Sequence, residues 1–160
     1  MTVSFFMGTS LKDRVIAGGI IIIPLATLAL LAAIFLRPEP IDQQAVWGCY
    51  VAVGAPALRV EANRIHILDG THRSMSYVAE HQRRYLLTVQ PALQLSPSTG
   101  GSYSFVNGRG TGYFWPLLAE ASDDLRGVSS PQDFGGRLGL VAADGTTIVY
   151  VRSESDDACS

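Results

Sequence analysis

Apolar and polar positions fall into two regimes along this chain. From Val15 to Leu36 the sequence reads VIAGGIIIIPLATLALLAAIFL, twenty-two positions without a charge. Beyond Val46, apolar residues recur in short runs, many with a period of two. The first regime predicts a helix with no polar stripe, the second a set of short β-strands.

The apolar run is long enough to cross a bilayer core of about 30 Å, which takes roughly 20 residues at 1.5 Å each. A cleaved signal peptide has a shorter core, about 7–15 residues, followed by a small-x-small site. Here the run ends in Ile34-Phe35-Leu36-Arg37-Pro38, a poor cleavage site, and the small residues Ala29, Ala32 and Ala33 lie inside it. Val46-Trp47-Gly48-Cys49 loosely resembles a lipobox, but Trp47 does not suit one and Cys49 lies beyond the apolar core. The run is therefore expected to be a permanent transmembrane helix. Pro24 predicts a mild kink, and Ala29 with Ala33 makes a small-xxx-small pair suited to helix packing. Lys12 and Arg14 precede the run and Arg37 follows it, so the positive charges favour a cytoplasmic N-terminus.

The organisation expected is a short cytoplasmic segment (1–14), a transmembrane helix (15–36), a Pro-rich stalk (37–45), an exported mainly-β domain (46–152) and an acidic tail (153–160). The stalk rests on Arg37-Pro38-Glu39-Pro40, where X-Pro steps turn the chain away from helix.

Within the exported part, Leu58, Val60 and Ala62 alternate with Arg59 and Glu61. The phase flips at Asn63-Arg64, and Ile65 and Ile67 continue out of step, which marks a turn or bulge. Asp69-Gly70 is a turn signal. Met75, Tyr77 and Ala79 follow, then a β-prone run from Tyr85 to Leu95 that Pro91 interrupts at an edge or bulge. Ser96 to Gly101 reads as a loop, and Tyr103, Phe105 and Tyr113 to Trp115 as two further strands. Leu138 to Ala142 and Thr146 to Arg152 form the clearest hairpin, joined at Ala143-Asp144-Gly145. The best helical candidate after the anchor is Leu117 to Leu125. Many short strands with frequent turns predict an antiparallel sandwich or small barrel.

Composition narrows the setting. The part after Pro38 carries nine Arg against thirteen Asp and Glu, a net charge near −4. Nucleic-acid binders show a basic face instead. Lys12 is the only lysine, a bias that suits a GC-rich bacterial genome. The two cysteines, Cys49 and Cys159, bracket the domain. In an oxidising compartment they are expected to pair, closing a loop worth roughly 4–5 kcal/mol in a chain-entropy treatment. The expected location is the bacterial inner membrane, with the C-terminal domain in the periplasm or its equivalent.

Candidate chemistry is sparse. Gly108-Arg109-Gly110-Thr111-Gly112 superficially resembles a phosphate-binding loop, but aromatic residues and Pro116 follow where a helix should open. A zinc site would need His72, Asp69 and His81 to converge, and surface positions are the ordinary reading for these and for His66. No G-x-S-x-G elbow or EF-hand pattern is present, and the acidic pairs Asp123-Asp124 and Asp156-Asp157 read as solvated. No catalytic, cofactor or metal residue is assigned. The most suggestive cluster is Tyr113-Phe114-Trp115. Neighbours on a strand point to opposite faces, so either Phe114 or its two flanking rings should face outward and offer a contact surface.

The leading expectation is a single-pass anchored envelope protein whose β domain is an accessory or assembly module binding another membrane or envelope protein. The alternative is a barrel or sandwich that holds a small apolar or glycan ligand. An anchored hydrolase ranks third.

Overall fold

The computed structural model describes residues 24–32, 39–120, 125–155 and 159. The chain divides into two compact units, Met1–Pro38 and Glu39–Ser160. In the first, residues 24–32 are helical. The rest of the apolar run 15–36 and the segment 1–14 lie outside the described residues. Among the described residues, no helix is long and apolar enough to cross a membrane.

Among its described residues, the second unit has ten strands: β1 (Gly48–Ala52), β2 (Ala55–Glu61), β3 (Arg64–Leu68), β4 (Ser74–His81), β5 (Tyr85–Gln90), β6 (Leu93–Pro97), β7 (Tyr103–Asn107), β8 (Tyr113–Ala119), β9 (Phe134–Val141) and β10 (Thr147–Arg152). Eight of them close an antiparallel barrel in the order β1-β10-β9-β8-β5-β4-β3-β2, and β6 pairs with β7 alone. The barrel, of the two architectures expected, is the one formed. Closure gives each of the eight strands a partner on both sides along at least part of its length.

The two-residue period decides which side chains go inside. Leu58 and Val60 of β2, Ile65 and Ile67 of β3, Met75 and Tyr77 of β4, and Tyr85, Leu87 and Val89 of β5 are all buried. The phase flip at Asn63 is the β2–β3 turn, where Asn63 takes φ +60°. Tyr50, Trp115, Leu117, Leu138, Leu140 and Tyr150 complete the interior. Three buried tyrosine hydroxyls reach backbone or a neighbour at the barrel's ends. Tyr50 donates to the Val46 carbonyl at 2.8 Å, and Tyr150 to that of Pro56 at 2.9 Å. Tyr77 accepts from Trp47 Nε1 at 3.1 Å. Burial raises the pKa of all three phenols, which remain neutral donors or acceptors.

Two segments stop the ends of the barrel. At one end lies the stretch before β1. The 3-10 turn Gln43–Val46 is capped by the Asp42 side chain, which accepts from Gln44 N at 2.9 Å. Ile41 and Val46 are buried in the core cluster. Tyr85 donates its hydroxyl to the Glu39 carbonyl, and Arg152 reaches the Ala45 carbonyl at 2.8 Å. From Glu39 onward, the Pro-rich stretch expected as a stalk is thus part of the barrel. At the other end lies the β6–β7 hairpin, which buries Leu93, Leu95 and Phe105. It is tied down by Tyr103 N to Gly54 O at 2.6 Å, Ala143 N to Leu95 O at 2.7 Å, and Arg73 Nη1 to Phe105 O at 2.8 Å.

The β-prone run 85–95 is two strands parted at Pro91, where the chain leaves the barrel wall. The helix expected over 117–125 is not formed at its start. Leu117, Leu118 and Ala119 continue β8, because Leu117 is an inward position of the barrel and pairs with Leu138. The register of β8 against β9 shifts between Leu118 and Ala119. Gly135 lets β9 pass this irregularity, since a Cβ there would collide with the Glu120 backbone.

Cys49 and Cys159 form a disulfide, with Cα atoms 5.9 Å apart. Both are buried against β2. The Arg59 guanidinium donates to the Cys159 carbonyl, which ties the same tail residue to the barrel wall.

Candidate contact surface

β8 alternates in a way that splits the aromatic cluster. Trp115 points inward, 3% exposed, and its ring lies 6.5 Å from that of Phe105 on the hairpin. Phe114 points outward and is 60% exposed. Tyr113 is half-buried, and its hydroxyl donates to Gln94 Oε1 at 3.1 Å. Its ring packs over Gly108, where a Cβ would overlap it. Of the three residues proposed as a contact surface, only Phe114 therefore presents a large apolar group to solvent.

The sheet register supplies its neighbours. Val78 of β4 pairs with Thr88 of β5, and Thr88 pairs with Phe114. Directly opposed residues share a face, so Val78, Thr88 and Phe114 form one outward row. Leu86 and Pro116 form the next, also directly paired. On the other side, β8 pairs with β9 through Leu117, Leu118 and Ala119 only. Pairing stops beside Pro116, which has no N–H to give a ladder. Past that point β6 approaches β9 from the hairpin, through the Ala143-to-Leu95 bond. A groove of about 140 Å³ remains there, lined by Leu93, Gln94 and Leu95 of β6, by Tyr113 to Trp115, and by Leu140 and Val141. Val141 is 61% exposed and Val78 58%.

The outward positions of β5 and β8, namely Leu86, Thr88, Gln90, Phe114, Pro116 and Leu118, contain no charge. The nearest acid on the adjoining strand is Glu80, paired with Leu86. Its carboxylate is occupied by the Thr88 hydroxyl and by Gln82 Nε2 at 3.1 Å. The result is a mainly apolar face with a protruding ring beside a groove, bordered by Glu80 on β4 and Arg137 on β9. The residues that join Phe114 in it, Val78 and Val141, are far away in sequence. Only cross-strand pairing brings them together, and the alternation around Val78 gives no hint of a shared patch.

The remaining candidates are placed as follows. The Gly108-to-Gly112 stretch is the loop between β7 and β8, and a strand follows it. His72 and Asp69 lie before β4, whereas His81 ends it, stacked on Tyr85 at 4.7 Å. The three do not converge, because a strand of that length spans roughly 25 Å. His66 faces away from the interior, 3.9 Å from Glu61. Among the described residues, no group of three metal-ligating side chains comes together. Asp123-Asp124 and Asp156-Asp157 lie outside the described residues.

The strongest polar cluster is structural. In the β3–β4 loop, Asp69 accepts from Thr71 N at 2.9 Å, from the Thr71 hydroxyl, and from Arg73 Nη2 at 2.6 Å. Burial acts to raise the carboxyl pKa, but the bonds from Thr71 and Arg73 outweigh it and bring it to about 2. In the β9–β10 turn the Thr146 N–H, 2.9 Å from Asp144, holds that carboxyl below its ordinary range. Both are turn-building acids.

Compared with models of known protein families, with curated proteins and with solved structures, the chain matches none.

Proposed function

We propose that this chain is a single-pass, membrane-anchored envelope protein whose β-barrel is an accessory or assembly module that docks another protein. The apolar run 15–36 is the anchor. Its length and flanking charges support a cytoplasmic N-terminus and an exported barrel. The Cys49–Cys159 disulfide fits an oxidising compartment.

One observation carries the docking role: the exposed apolar face around Phe114 on a barrel whose interior is filled. A side chain as large as Phe at 60% exposure leaves roughly 120 Å² of apolar surface in water. Exposed apolar patches of this kind mark contact sites on soluble domains. By contrast, Tyr50, Leu58, Ile65, Leu87, Leu117, Leu138 and Tyr150 occupy the barrel axis with no exposure. A ligand binder of the lipocalin type needs that space empty.

The test is photo-crosslinking in intact membranes. A benzophenone amino acid replaces Phe114, Val78 or Val141 in the full chain, and Arg64, at the β2–β3 turn, serves as control. Protein adducts from the three face positions, and few from Arg64, are expected. Equal labelling from all four positions, or none from the face, overturns the docking role.

A further inference from the structure

We infer that the partner of the Phe114 face is the same face of a second copy of this chain. The inference rests on the reading above and specifies its partner. A contact related by a twofold axis is isologous: each copy must offer on one patch both the group that projects and the place that receives it. Here the two lie side by side. The Phe114 ring projects 60% into solvent. The adjoining groove of about 140 Å³ is walled by Leu93, Leu95, Leu140 and Val141, with the Gln94 amide held by Tyr113.

Charge points the same way. A patch that meets its own copy across a twofold axis opposes every charge near the axis to an identical one. The outward positions of β5 and β8 carry no charge, and the charges bordering them on β4 and β9 are Glu80 and Arg137, one of each sign. The acid at its border, Glu80, is already bonded to Thr88 and Gln82.

Area decides the setting. The exposures of Phe114, Val141 and Val78 amount to roughly 300 Å², and the partly buried Leu86, Thr88 and Pro116 widen the patch to about 400 Å². A stable complex between freely diffusing proteins buries about 800 Å² per partner. The face is thus too small to hold copies together in dilute solution. Copies anchored in one bilayer are different. They are confined to one plane and meet at an effective concentration in the millimolar range, where a small interface suffices.

The experiment uses the full chain in native membranes. Two versions with different epitope tags are co-expressed, one of them carrying the benzophenone at Val141. The expected product has twice the chain's mass and contains both tags. Phe114→Asp in the same chains is expected to reduce it at least about tenfold, while the oxidised Cys49–Cys159 bond reports that the barrel is intact. A product joining one tag to a different protein overturns the second copy but leaves the docking role standing. No protein product from Val141, Phe114 or Val78 overturns both. A two-tag product that Phe114→Asp leaves unchanged overturns the Phe114 geometry and with it this inference.

Discussion

The β3–β4 loop latches the hairpin that stops one end of the barrel, and the latch depends on one ionised carboxylate. Asp69 holds Arg73 through Nη2 at 2.6 Å, and the same guanidinium donates from Nη1 to the Phe105 carbonyl on β7 at 2.8 Å. Removing the charge with Asp69→Asn keeps the size and one acceptor but releases Arg73. The carboxyl is brought from 3.8 to about 2 in the folded chain. Each pKa unit corresponds to about 1.4 kcal/mol, which caps the effect near 2.5 kcal/mol. The Asp69 side chain is 14% exposed and that of Arg73 33%, so screening by solvent reduces the expected value to about 1–2 kcal/mol.

The sign follows from linkage. A carboxyl whose folded pKa lies below its unfolded value adds stability above the unfolded pKa, near 3.8, and loses it as the pH falls toward the folded value. At pH 7 the full contribution is present. Below about pH 2, where both states bind the proton, it is gone. The assay is urea unfolding of the full chain in detergent at pH 7 and at pH 2, wild type against Asp69→Asn. The variant should be less stable by about 1–2 kcal/mol at pH 7, with the gap closing at pH 2. An equal gap at both values would refute the argument, because the loss would then come from packing or turn geometry and not from charge.

Four further outcomes follow from the same structure. Replacing Cys49 and Cys159 together with Ser should cost about 2–4 kcal/mol in denaturant unfolding, and reduction should slow the wild-type chain on a denaturing gel; equal mobility would count against the bond. Trp115→Ala should destabilise by about 3–5 kcal/mol, whereas Phe114→Ser should change stability by no more than about 0.5 kcal/mol, a contrast that thermal unfolding reads directly. Tyr150→Phe leaves the Pro56 carbonyl without its donor and should cost about 1 kcal/mol. Val46→Ala should lower the unfolding free energy by about 2 kcal/mol if the segment is part of the core, while a free stalk would show no change.

Where residues were legible in the sequence, a local period carried them. The inward sets Ile65–Ile67, Met75–Tyr77 and Leu138–Leu140 follow from alternation alone, because one residue in two must leave water. The Asn63 turn follows from the phase flip, and the β9–β10 hairpin from Asp144-Gly145. The pairing of Cys49 with Cys159 follows from their count, two cysteines that bracket the domain. What alternation does not contain is the pairing of distant strands. Phe114 could be placed outward or inward by pattern, but Val78 and Val141 join it only because β5 lies between β4 and β8, and β9 lies beyond. Leu117 to Leu125 misled for a related reason. Consecutive apolar residues suit a helix, yet here they continue β8, with Leu117 inward and Leu118, at an outward position, buried as well.

The stretch 39–46 shows how a closed barrel changes the meaning of residues next to it. Read locally, Glu39-Pro40-Ile41-Asp42-Gln43-Gln44 is polar, extended and unlikely to build a core. An eight-stranded barrel has two mouths, however, and its walls cannot shield the ends of its own interior. Tyr50 and Tyr85 reach one mouth with hydroxyls that need partners in a place strands do not fill. The carbonyls of Val46 and Glu39 meet that need, and Val46 and Ile41 supply the apolar cover. Neither side chain announces this role, because the demand is set by the far side of the barrel. The β6–β7 hairpin answers the same demand at the opposite mouth with Leu95 and Phe105. With both mouths stopped and the axis filled, the outer wall is the surface that the proposed docking uses. On that wall, β8 turns Phe114 outward beside the groove left where its pairing with β9 stops.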